Sequence, residues 1–149
     1  LLFSLFPYTT LFRSELCGVK VDLGKIDCPV YFLSAIEDHI APWKTTFIGT
    51  ELVKSESIEF VLAASGHVAG VINPASKNKR HFWKDGELGK GPEHWLESAE
   101  EVPGSWWPHW DAWLKANGNK TVDAPSQLGV DKYPELEPAP GSFVMAKAS

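Results

Sequence analysis

Two short stretches of the sequence carry residues able to move a proton. "EDHIAPW" holds Glu37, Asp38 and His39, and "AASGHVAGVINP" holds His67 between two glycines. Each follows an apolar run: Val30–Leu33 within "IDCPVYFLSAIED", and "IEFVLAA" over Ile58–Ala64. In open α/β sheets the working residues lie in loops at the carboxyl ends of strands. Asp38 and His67 placed there could form an acid–base pair. A carboxylate that bonds one imidazole nitrogen fixes the tautomer and leaves the other nitrogen to take a proton. The alternative is structural, with Asp38 capping a turn and His67 serving only the packing. Spacing alone leaves both readings open.

The elements around them must place these loops side by side. The continuous apolar centre after Pro29 suits a strand covered on both faces, and "IEFVLAA" reads as a second. Between them, "APWKTTFIGTELVKS" offers Pro42 as a helix start, with Trp43, Phe47, Ile48 and Leu52 at helical spacing. Strand, helix and strand within about 35 residues make a βαβ unit with a right-handed crossover.

Beyond Pro74, "ASKNKRHFWKDGELGKGPEHWLESAEEVPG" reads as a polar loop with a short helix at Pro92–Ala99. "SWWPHWDAWLKANG" predicts a helix with Ser105 as its N-cap and Gly118 just past its end. Trp106, Trp110, Trp113 and Leu114 share one face of it, and a tryptophan stripe at that spacing reads as core. The remaining "TVDAPSQLGVDKYPELEPAPGSFVMAKAS" is broken by Pro and Gly and reads as extended surface chain. Two strands are too few for a self-sufficient parallel sheet. The fold expected is therefore α/β with an incomplete sheet, the C-terminal part of a larger domain that does not fold stably alone.

Composition narrows the function. The 149 residues are 44 % hydrophobic with a net charge of −5, and no Lys/Arg block offers a nucleic acid a phosphate footprint. No apolar run reaches the ~20 residues of a membrane helix. Cys17 and Cys28 make neither a disulfide framework nor a zinc spacing and suit a reducing cytoplasm. His81, His94 and His109 are too scattered for a metal site. "LFPYTTLFRS" (Leu5–Ser14) looks like the in-frame translation of a short-read sequencing adapter. Residues 1–14 are accordingly expected to be non-native, with the natural sequence beginning near Glu15.

An acid followed by a histidine matches the chain order of α/β-hydrolases, whose nucleophile sits earlier on a G-x-S-x-G type elbow. Neither G-x-S-x-G nor G-x-C-x-G occurs in the chain. Cys17, in "ELCGVK", and Cys28, before Pro29, do not lie at a strand-to-helix turn and are not candidates for that role.

Four stretches carry a more specific resemblance: "VDLGKIDCPVYFLSAIEDHIAPW", "LAASGHVAGVINPASKNKRHFW", "GSWWPHWDAWL" and "YPELEPAPGSFVMAKAS". From about Glu15 onward the chain resembles the C-terminal region, roughly the last quarter, of class I polyhydroxyalkanoate (PHA) synthases of the α/β-hydrolase superfamily. The resemblance implies an acyltransferase that polymerises (R)-3-hydroxyacyl-CoA, with a lean to short chains such as 3-hydroxybutyryl-CoA, onto a growing polyester chain with release of CoA. It implies a Cys–His–Asp triad in which His67, in the "SGH" motif, deprotonates the cysteine and then the incoming 3-hydroxyl. Asp38, in the "DHIAPW" motif, would orient His67 or assist that hydroxyl. The cysteine has no counterpart here and is expected upstream, so these 149 residues alone are expected to be inactive. CoA thioester is substrate, and no cofactor or metal is expected. A homodimer, a cytoplasmic location and attachment to a granule surface are further implications.

His39 is expected to shape its loop and Asn73–Pro74 to turn the chain. Lys77–Arg80 is either a solvated loop or a contact for CoA phosphates. Two other functions compete: an esterase or depolymerase of the same fold, and a piece that only packs or binds.

Overall fold

The computed structural model describes residues 15–118 and 120–147, so the expectation about residues 1–14 lies outside the described residues. The chain divides into two units, one ending at Asn117 and the other beginning at Gly118.

The first unit opens with a small antiparallel hairpin, β1 (Glu15–Leu16) and β2 (Val19–Lys20). A four-stranded sheet follows, in the order β3 (Val30–Ala35), β4 (Ile58–Ala63), β5 (His81–Lys84) and β6 (Glu100–Pro103). The β3–β4 pair is parallel, in register from Val30↔Ile58 to Ala35↔Ala63. Two short helices connect them, α1 (Trp43–Phe47) and α2 (Gly49–Leu52). This is the strand–helix–strand unit the apolar spacing predicts, with the helix divided at Ile48.

Period-two alternation along β4 builds a core on each face of the sheet. Phe60 and Leu62 pack with Trp43 and Phe47 of α1 and with Trp95 of α3 (Pro92–Ser98). Val61 and Ala63 pack with Phe82 and Trp106 on the opposite side. Both faces are covered, which is why "IEFVLAA" is apolar without interruption.

Residues 75–104 correct the expectation of a loop. The short helix is present, but His81–Lys84 and Glu100–Pro103 are two further strands, antiparallel to each other, with β5 also antiparallel to β4. The sheet is mixed rather than parallel. Neither four-residue strand has an apolar run: Phe82 is the one fully buried residue of β5, and β6 is a mostly exposed edge where Pro103 costs no ladder bond. Lys84, paired opposite Glu100 and ion-paired to it at 2.7 Å, links the two strands by charge instead.

Helix α4 (Trp107–Asn117) starts where expected, with the Ser105 hydroxyl accepting the Trp107 amide at 3.1 Å. The predicted core stripe holds only in part. Trp106 is buried and Trp113 half-buried, while Trp110 and Leu114 are 40 % and 42 % exposed. No helix among the described residues is long and apolar enough to cross a membrane.

The second unit is extended apart from a two-residue hairpin, β7 (Gly129–Val130) with β8 (Tyr133–Pro134), and a 3-10 turn at Phe143–Met145.

Candidate active site

The parallel register of β3 and β4 determines the site. With Ala35 opposite Ala63, Asp38 and His67 leave adjacent strands at the same end of the sheet. The ladder continues briefly past both ends: the Ile36 amide donates to Ala63 O and the Glu37 amide to Ser65 O, at 2.9 and 3.0 Å. Two loops so tied cannot slide apart, and residues 29 positions apart in sequence become neighbours.

His67 Nδ1 lies 2.7 Å from Asp38 Oδ2. An ionised carboxylate can only accept, so Nδ1 carries the proton and the neutral imidazole presents a lone pair at Nε2. Among the described residues Nε2 has no hydrogen-bond partner, and the His67 side chain is 47 % exposed. Asp38 is its opposite, with a side chain only 7 % exposed. Its second oxygen, Oδ1, accepts the amides of Ile40 and Ala41, both at 2.9 Å. These bonds hold the Asp38 carboxyl below the usual carboxylate range: the Ala41 amide acts most strongly, burial opposes it, and His67 and the Ile40 amide add to the lowering. The capping role and the orienting role that the sequence offers as alternatives are both filled, one by each oxygen.

The turn carrying His67 is tightly built. Ser65 adopts φ +76°, an unusual backbone for a residue other than glycine, immediately before the Gly66–His67 pair. The Gly70 amide closes the turn onto Gly66 O at 2.7 Å. A Cβ on Gly70 would lie 2.8 Å from both Ala35 Cβ and Ala64 O, so only glycine fits there.

The residues around the pair have distinct duties. Asn73 is buried and donates through Nδ2 to Lys79 O at 2.6 Å, which fits the expected chain-turning role. Arg80 of the basic run donates to Ala69 O, and Lys77, Lys79 and Arg80 are all exposed. His39 is exposed beside Asp38. His94 pairs with Glu87 at 2.7 Å, and His109 Nδ1 lies 2.9 Å from Tyr31 Oη. No group of three or more candidate metal ligands occurs among the described residues.

Both cysteines are exposed free thiols, Cys17 in the turn of the β1–β2 hairpin. Cys28 enters β3 at the end opposite Asp38, and a six-residue strand separates the two. At ~3.3 Å per residue that strand alone spans roughly 20 Å. Cys28 therefore lies at the far end of β3 from the loop that carries Asp38.

Sequence reasoning missed the residues that support the histidine loop from below. Trp106 Nε1–H donates to Gly70 O at 3.1 Å and Trp107 Nε1–H to Val71 O at 3.0 Å. A buried indole N–H seeks a partner, so the adjacent tryptophans signal two acceptors somewhere, but not that they lie 36 residues back along the chain.

No family model matches the chain. Among curated proteins, it is 48 % identical over 136 residues to the poly(3-hydroxyalkanoate) polymerase subunit PhaC of Cupriavidus necator, covering 91 % of this chain and 23 % of that protein. It is 44 % identical to the polymerase subunit PhaC of Rhizobium etli, over 87 % of this chain and 20 % of the relative. To poly(3-hydroxyalkanoate) polymerase 2 of Ectopseudomonas oleovorans it is 35 % identical, over 97 % of this chain and 26 % of the relative. The chain thus spans about a fifth to a quarter of the length of the curated relatives it matches. Almost its whole length aligns in each case, and on this ground the chain belongs to the poly(3-hydroxyalkanoate) polymerase family.

Proposed function

We propose that this chain is the base-carrying, C-terminal part of a poly(3-hydroxyalkanoate) polymerase with an α/β-hydrolase-type catalytic domain, and that His67 is its general base. The supporting observation is the 2.7 Å contact between His67 Nδ1 and Asp38 Oδ2 at the carboxyl ends of adjacent parallel strands, with the His67 side chain nearly half exposed. The nucleophile is a cysteine outside these 149 residues, which contain no G-x-C-x-G elbow.

In this reading His67 Nε2 takes the cysteine proton, and the thiolate attacks the carbonyl carbon of an (R)-3-hydroxyacyl-CoA. The C–S bond to CoA breaks, and the proton held on Nε2 leaves with the CoA thiol. His67 next takes the proton of an incoming 3-hydroxyl, whose oxygen attacks the acyl-cysteine carbonyl. The C–S bond to the cysteine breaks as the new ester forms, and the released cysteine sulfur takes the proton back from Nε2. Asp38 stabilises the imidazolium each time it forms and keeps the ring from turning. CoA thioester is the substrate and no cofactor is required. The preference proposed is for short acyl chains such as 3-hydroxybutyryl-CoA. A homodimer in the cytoplasm, attached to the polymer granule, fits this activity, and the 149 residues alone do not turn over.

The test is CoA release from 3-hydroxybutyryl-CoA by the full-length polymerase carrying this sequence. His67→Gln should abolish release while the protein stays folded. Release at the wild-type rate would overturn the assignment.

A further inference from the structure

The segment Gly104–Trp107 makes four separate bonds to the chain around the histidine loop. Trp106 and Trp107 donate their indole protons to Gly70 O and Val71 O, the two consecutive carbonyls that end the turn. The Ser105 hydroxyl donates to Asn73 O, and the Ser105 amide donates to Asn78 Oδ1 at 3.0 Å. Gly104 makes this approach feasible: its φ is +100°, and a Cβ there would lie 2.3 Å from Asn78 Oδ1. A strand end and a helix start are thus spent on holding one turn, and that turn carries His67 three residues before Gly70.

We infer that the two tryptophans are positioning residues for His67, acting through the carbonyls of Gly70 and Val71. The inference rests on the reading of His67 as the base and says what keeps that base in place. From the Asp38 side the imidazole is held by a single bond at Nδ1. That bond fixes the ring's rotation but not the position of its backbone. The loop is exposed at His67 and Val68, so packing does not hold it from outside. The indoles hold it from beneath, and Trp106, buried against Val61, Ala63 and Phe82, transfers the rigidity of the sheet to the turn. A small displacement of a general base costs rate even where the chemistry is untouched.

Trp107 is the residue to change, because it is half-buried and its ring can be kept while its donor is removed. In the full-length polymerase, Trp107→Phe should lower kcat for 3-hydroxybutyryl-CoA by roughly three- to tenfold, as expected for one lost hydrogen bond, with KM unchanged. Replacing Trp107 with benzothienylalanine, which has the shape of tryptophan with sulfur in place of N–H, should give the same fall. Wild-type kcat in the benzothienylalanine protein would overturn the inference, since ring packing alone would then suffice. A raised KM at constant kcat would also overturn it, by making Trp107 a substrate contact. His67→Gln separates the two claims. If that variant is active, the base assignment fails; if it is inactive and both Trp107 variants keep wild-type kcat, the positioning role alone fails.

Discussion

His67 donates its Nδ1 proton to Asp38 across 2.7 Å, while the other oxygen of Asp38 gathers the amides of Ile40 and Ala41. The carboxylate is therefore anchored to its own loop before it orients the ring. That arrangement explains how a nearly half-exposed histidine keeps a defined tautomer: its partner is the buried member of the pair, held by groups that do not move with solvent.

Asp38→Asn tests this division directly. The asparagine carbonyl can still accept both amides, so the loop should stay in place. Its NH2 would face Nδ1 and require the lone pair there, moving the proton to Nε2 and removing the base. The turnover of the full-length polymerase should fall on the order of a thousandfold or more, with an unchanged circular dichroism spectrum. A fall of less than tenfold would mean that the tautomer is fixed by other groups.

Gly70→Ala should act on the site without touching either reacting residue. The new methyl would meet Ala35 Cβ and Ala64 O, both fixed by the strands, so the turn rather than the sheet must yield. A stability loss of about 1–3 kcal/mol is expected from the overpacking. Denaturant unfolding of the full-length polymerase should show it, together with a fall in CoA release.

Tyr31 and His109 form a second pair, 2.9 Å apart, with a different pH signature. Burial, with help from the charge on Glu59, pushes the Tyr31 phenol well above its ordinary value. Burial, then the nearby Lys84 charge, lowers His109 below its ordinary 6.5, with Asp85 opposing. The folded state thus holds His109 neutral, as acceptor for the phenol, while an unfolded chain would protonate it near 6.5. Below that value the unfolded state binds the extra proton first, so stability falls as the pH drops from 6.5 toward the lower folded value. The unfolding midpoint of the full-length polymerase should decline across that window, and His109→Gln should flatten the decline. Tyr31→Phe should cost about 1 kcal/mol at neutral pH by leaving the imidazole nitrogen unpaired.

The parts of the fold legible in the sequence were those governed by burial on both faces. Val30–Leu33 and "IEFVLAA" announce themselves as strands because every residue meets a core. Their loops, and hence Asp38 and His67, follow from where those strands stop. Strands β5 and β6 were not legible, since one buried phenylalanine and a Lys84–Glu100 ion pair leave no periodic pattern in either four-residue stretch. Trp110 and Leu114 misled for the opposite reason: their helical spacing is real, but α4 packs only its first turn and the Tyr31-facing His109 and Trp113 against the sheet. The support of the histidine loop by Trp106 and Trp107 was hidden because indole-to-carbonyl bonds depend on a tertiary approach that no local pattern encodes.

The 149 residues alone should not behave as a finished domain. Ile40, Val68 and Ile72 flank the Asp38–His67 pair at 65 %, 68 % and 59 % exposure. Among the described residues no strand pairs with the outer edge of β3. The isolated chain should bind a hydrophobic dye and melt without cooperativity. A sharp two-state transition in a monodisperse monomer would show that the sheet needs no further partner.

The base assignment is tested most directly by a pre-steady-state experiment on the full-length polymerase, following CoA release from excess 3-hydroxybutyryl-CoA after rapid mixing. The wild type should release a burst of about one CoA per active site as the cysteine is acylated. His67→Gln, folded and able to bind the thioester, should show no burst. An undiminished burst at the wild-type rate in that variant would contradict the account, because the thiol would then lose its proton without His67.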